Sequence, residues 1–210
     1  NTYVPGKPHD YNASYSPDGT KIAFISSRSG GHELHIIGAP NSYAQIPIQL
    51  TSEGCINETP TWSPDGRRLY WASNCDGDFE LYRGDLKYDQ DSQFGAFARL
   101  VNVTKLTDNT SDDRFPRVSP DGLHLAYSNN AAGNWDLYLL NTNGGAPIGP
   151  LLNSAANEEG PTWSPDGRWL AFFFNDAAAS EIYTMVWNRP ETAQKITNNN
   201  AQDRWPLWAQ

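Results

Sequence analysis

Four carboxylates recur at one position of this chain: Asp10, Asp113, Glu158 and Asp203, with Asn57 in the fifth equivalent place. Each stands three residues before a proline, or before Ala13 in the first instance. Oxygen ligands of this type suit a hard cation, and calcium is the ion their chemistry names. The competing reading is that each acid caps its own loop or pairs with a neighbour such as Arg114 or Arg204. Other groups with chemical potential are weaker. His32-Glu33-Leu34-His35 lacks the four-residue histidine spacing of a helical zinc site, and it aligns with Phe79-Glu80-Leu81-Tyr82 and Trp135-Asp136-Leu137-Tyr138. The two histidines therefore take places that other segments give to aromatics. No Gly-x-Ser-x-Gly elbow is present, and four scattered histidines make no triad, so no catalytic residue is assigned.

The elements that position these groups are set by a repeated tetrapeptide. Ser-Pro-Asp-Gly occurs at residues 16–19, 63–66, 119–122 and 164–167, with successive copies 47, 56 and 45 positions apart. A period in that range marks stacked supersecondary units. Proline presets φ, aspartate tolerates the bridge region and glycine accepts positive φ, which describes a tight turn between antiparallel strands. The strand before each turn ends in Tyr15, Trp62, Val118 or Trp163. The strand after it is a short apolar run: Ile22–Ile25, Leu69–Ala72, Leu125–Ser128 and Leu170–Phe173. A third strand carries an acid before its apolar residue (Glu33, Glu80, Asp136, Glu181), and a fourth ends near Thr51, Thr107, Leu152 and Thr197. The third-strand acid, present once per unit, reads as structural, accepting hydrogen bonds from the adjoining loop.

Pro-x-Trp-Ser-Pro-Asp-Gly-x-x-Leu-Ala-Phe, followed by Glu/Asp-Leu-Tyr and Leu-Thr, resembles the repeat of TolB-type β-propellers. The same repeat occurs in the propellers of prolyl-oligopeptidase-type and dipeptidyl-peptidase-type enzymes. The resemblance implies an all-β propeller of four-stranded blades over one domain, 1–210, with blades at about 11–51, 58–107, 114–153 and 159–197. A closing strand at 205–209 repeats a first strand without its turn, and Tyr3-Val4 stands where a fourth strand should end. The favoured reading is that the two ends clasp a four-bladed ring. The alternatives are a piece of a longer propeller, or self-assembly through terminal strands. The innermost first strands would gather the recurring carboxylates at a channel mouth, where converging fields attract a cation or a basic partner segment. In such a blade the connections holding Cys55 and Cys75 emerge at the same end, which predicts a disulfide between them and an oxidising, exported setting.

A net charge of −9 without a basic stripe argues against nucleic acid, and no apolar run is long enough to span a membrane. Asn12, Asn57, Asn102 and Asn109 begin glycosylation sequons. An insertion in the second repeat carries Tyr88, Phe94 and Phe97 among polar residues and is the candidate partner-contact loop. Together these features predict a non-catalytic exported module that contacts a protein or a glycan through its loops and channel mouth. The alternatives are the substrate-gating propeller of a larger hydrolase or lyase, and a lectin-like glycan-binding module.

Overall fold

The computed structural model describes residues 7–39, 46–89, 97–152, 154–175, 179–199 and 201–208. Among them no helix occurs; fifteen strands form four antiparallel sheets. The first sheet joins β1 (Asp10–Tyr15), β2 (Lys21–Ser26), β3 (Glu33–Gly38) and β4 (Ile48–Gln49) in chain order. The second joins β5 (Asn57–Trp62), β6 (Arg68–Ser73), β7 (Glu80–Asp89) and β8 (Phe97–Lys105). The third holds β9 (Asp113–Val118), β10 (His124–Asn129) and β11 (Asp136–Asn141). The fourth holds β12 (Asn157–Trp163), β13 (Trp169–Asn175), β14 (Ser180–Val186) and β15 (Arg189–Lys195). These are the four predicted blades. Their contacts group them in pairs: residues up to Lys105 form one compact unit, and those from Leu106 a second.

The turns explain why the first two strands of every blade pair. Ser63 donates its hydroxyl to Asp65 at 2.6 Å and accepts the Arg68 N–H at 2.9 Å, while Asp65 also accepts the Arg67 N–H. Ser16, Ser119 and Ser164 repeat the pattern. The turn glycines have φ between 68° and 75°, as a left-handed residue closing such a turn requires. The second strand emerging from each turn is buried on both faces: Ala23, Ile25, Leu69, Leu125, Leu170 and Phe172 are fully enclosed.

Two further devices recur. First, the residue before each first-strand proline is left-handed: Thr59 at 47°, Phe115 at 59°, Gly160 at 61° and Trp205 at 58°, with Asn12 at 53° before Ala13. In the described sheets the first-to-second strand register shifts there, as a bulge requires. Second, the buried third-strand acid ties down the end of its blade. Glu33 accepts the Thr51 hydroxyl at 2.6 Å and the Gly54 N–H, and Thr51 in turn accepts the Leu34 N–H. Glu181, Thr197 and Ile182 repeat this arrangement.

The third blade departs from the plan. Its expected fourth strand, ending at Leu151-Leu152, is reduced to a single bridge between Leu139 and Ile148. Pro147 and Pro150 flank that bridge and have no N–H to give a ladder. This blade also lacks the threonine at Leu152, so Asp136 has no hydroxyl from that position. Asp136 instead faces the carboxyl of Glu158.

Candidate functional site

The repeated bulge aims one pair of side chains per repeat, the left-handed residue and the one before it. In the second unit these pairs are Arg114-Phe115, Glu159-Gly160 and Arg204-Trp205. Residues 203–208 belong to no sheet, yet they copy a first strand. The Asp203 N–H donates to the Ser180 carbonyl at 2.8 Å, as the Glu158 N–H does to the Trp135 carbonyl at 2.7 Å. Trp208 donates its indole N–H to the Thr162 carbonyl at 3.2 Å. Held this way, the Trp205 ring makes T-shaped contacts with Phe115 at 5.0 Å and with Phe173 at 5.1 Å between ring centres.

Glycine at position 160 makes this packing fit. A Cβ there would stand 2.8 Å from Phe173 and 3.2 Å from Trp205. The guanidinium of Arg114 lies over Trp135 and that of Arg204 over Phe173, at 5.8 and 5.9 Å from the ring centres. Arg204 is further fixed by the Ser180 hydroxyl and the Gln202 amide oxygen, and Arg114 by Asp112.

Two groups in this cluster are unspent. Trp205 is 53% exposed, and among the described residues its indole N–H meets no acceptor. Glu159 is half-buried between the fields of Arg204 and Arg114, and its carboxylate has no hydrogen-bond partner among the described residues. Burial pushes its carboxyl up from the ordinary range, against the pull of the two arginines. The second unit thus holds an exposed indole, an unbonded carboxylate and two anchored guanidinium groups on its repeated bulges.

The recurring carboxylates singled out from sequence each accept hydrogen bonds from neighbours. Asp10 takes a two-pronged bond from Arg28, both contacts at 2.9 Å. Asp113 accepts the amides of Asn109 and Asn129 at 2.7 and 2.6 Å. Asp203 accepts the Asn199 amide at 2.7 Å. Ser154 donates to Glu158, whose second oxygen meets no donor. Arg114 bonds Asp112, and Arg204 bonds Ser180 and Gln202. Among the described residues no three His, Cys, Asp or Glu side chains gather around a metal-sized space.

Of the sequons, Asn57 is 1% exposed and donates its amide to the His32 carbonyl, so the folded chain presents no acceptor nitrogen there. Asn12, Asn102 and Asn109 are exposed, the last two with their amides bonded to Asp85 and Asp113. The second-blade insertion lengthens the β7–β8 hairpin, with Tyr88 opposite Ala98. Tyr88 packs on the blade core beneath the Lys21 ammonium, 5.5 Å from its ring centre. Phe94 lies outside the described residues, and of Phe97 only the backbone pairing with Asp89 is described. Cys55 and Cys75 are joined in a disulfide, their Cα atoms 5.0 Å apart. His35 is buried against Phe24 at 5.7 Å, the partner Tyr138 has in Tyr127 and Tyr183 in Phe172.

The blade plan is matched in solved structures. TolB from Acinetobacter baumannii superposes with a TM-score of 0.73 at 20% identity, over 92% of this chain and 44% of that one. The fold is a TolB-like β-propeller. No protein-family model matches the chain. Among curated proteins, the TolB homolog of Chlorobaculum tepidum is 30% identical over 126 residues, which is 60% of this TolB-like chain and 25% of the homolog. The uncharacterized peptidase YuxL of Bacillus subtilis is 29% identical over 154 residues, 61% of this chain and 23% of the peptidase. The TolB-like chain thus spans about a quarter of the length of these two relatives. The Trp205 cluster was missed in the sequence, although Asp-Arg-Phe-Pro at 113–116 and Asp-Arg-Trp-Pro at 203–206 are near copies that point to it.

Proposed function

We propose that this chain is a non-catalytic binding module of an exported protein, and that the Trp205–Glu159 surface is where it meets its partner, a protein or a glycan. The observation that carries this reading is the exposed indole of Trp205 beside a carboxylate with no hydrogen bond. Aromatic and arginine side chains held rigid by their neighbours are the usual anchors of a recognition surface. Export is supported by the Cys55–Cys75 bridge, since disulfides persist in oxidising compartments. The test is capture from an envelope extract by the immobilised chain and by W205A, with protease and glycosidase treatment of the extract. Capture lost in W205A supports the reading, and equal capture by both proteins overturns it.

A second reading makes the chain the propeller portion of a larger hydrolase, favoured by its likeness to a quarter of the peptidase YuxL. A hydrolase domain in the same reading frame, active on peptides only when the propeller is present, would establish that alternative.

A further inference from the structure

The charges and rings around Trp205 restrict what can be bound there. This step rests on the binding-module reading and names the ligand of that same surface. A cationic side chain would meet Glu159 but would also face Arg114 and Arg204, whose charges flank it. An anion would meet the arginines across the carboxylate that stands between them. A hydrocarbon surface would cover the Glu159 carboxylate and the Trp205 N–H and leave both without partners, which is costly in a dry contact. What satisfies all of these groups is an uncharged ring with hydroxyls on its edge and C–H bonds on one face.

We propose that one residue of a neutral carbohydrate packs against the exposed part of the Trp205 indole and donates its hydroxyls to Glu159. The scaffold suits that role. Trp205 makes T-shaped contacts with both Phe115 and Phe173, so its ring is held before any ligand arrives. The left-handed turn at Trp205 sets the direction in which its Cα–Cβ bond leaves the main chain.

The experiment is calorimetric titration of the intact chain with maltotriose, cellotriose and chitotriose, alongside trigalacturonate and a lysine-rich peptide. The expected result is saturable binding of at least one neutral trisaccharide. W205A and E159A should each weaken it by about tenfold or more, while W205F retains most of it and Tm stays unchanged in E159A. No binding of any neutral trisaccharide, or binding indifferent to both substitutions, overturns the proposal. If trigalacturonate or the peptide binds in a Trp205-dependent way and the neutral sugars do not, the carbohydrate assignment fails while the binding-module reading stands. If W205A also captures envelope partners as well as the parent does, both fail.

Discussion

Trp163 donates its indole N–H to the backbone carbonyl of Arg117 at 3.0 Å, across 46 residues of sequence. Trp62 does the same to Ser14 and Trp208 to Thr162, so each such tryptophan fastens its own strand to the first strand of the preceding blade. Trp163→Phe keeps the ring's apolar bulk but leaves a carbonyl without its donor. The expected cost is about 1–3 kcal/mol, read as a lower urea midpoint with an unchanged m-value. A midpoint equal to that of the parent would show that the bond adds nothing beyond packing.

Gly160→Ala is expected to be far worse than an ordinary surface change. It places a Cβ 2.8 Å from Phe173 at a φ of 61°. Overpacking and left-handed strain together should cost about 2 kcal/mol or more. Gly133→Ala is the control, because its φ is 94° but no atom lies within 4 Å of the new carbon. It isolates the strain component, and equal thermal shifts for the two would refute the packing argument.

The Asp136–Glu158 pair gives the protein a pH dependence of definite sign. Two buried carboxyls that face each other can form a hydrogen bond only while one holds a proton. Burial, with the Asp136 charge adding to it, pushes Glu158 from its ordinary 4.5 up to about 7. The native state therefore binds more protons than the unfolded state between those values. The contribution is complete below about 4.5 and is lost as pH rises to about 7. Turn acids such as Asp65, held low by Ser63, act with the opposite sign at lower pH, losing their contribution as pH falls. The difference between the parent and E158Q is thus the quantity to measure. A difference in Tm that stays flat from pH 4.5 to 7 would remove the shared proton.

The disulfide closes a loop with a sequence separation of 20. Converting both Cys55 and Cys75 to serine should destabilise the fold by about 3 kcal/mol on the chain-entropy account. The comparison is of denaturant midpoints for the parent and the double variant under non-reducing conditions.

Calcium is expected to leave Tm where chelator leaves it. Asp113 and Asp203 are occupied by asparagine amides and Asp10 by Arg28. A rise in Tm that grows with calcium concentration, following ligand linkage, would show instead that these acids exchange their partners for the ion.

The blades were legible because their information is local. Proline, aspartate and glycine determine the turn within four residues, and buried second strands are continuous apolar runs. The third blade's missing fourth strand was also written locally, in Pro147 and Pro150, but the repeat average concealed it. The recurring acids were found by spacing alone, and spacing did not reveal that asparagines at 109, 129 and 199 would reach them. The Trp205 surface was beyond such reading for another reason. It depends on a backbone reversal at each bulge, and on Phe115 and Trp205 meeting across a glycine that separates them by 45 residues on either side. No linear pattern encodes that encounter.

The Ser-Pro-Asp-Gly turn also bears on the order in which the chain acquires structure. All of its hydrogen bonds, from serine to aspartate and from serine to the next strand, join residues no more than five apart. Loops that short close in well under a microsecond. Each repeat can therefore nucleate its own hairpin as it leaves the ribosome, before its third and fourth strands exist. The late steps are the distant ones: the tryptophan bonds to the preceding strand and, last of all, the seating of residues 203–208. On that schedule the Trp205 cluster is assembled only after the blades beneath it are complete.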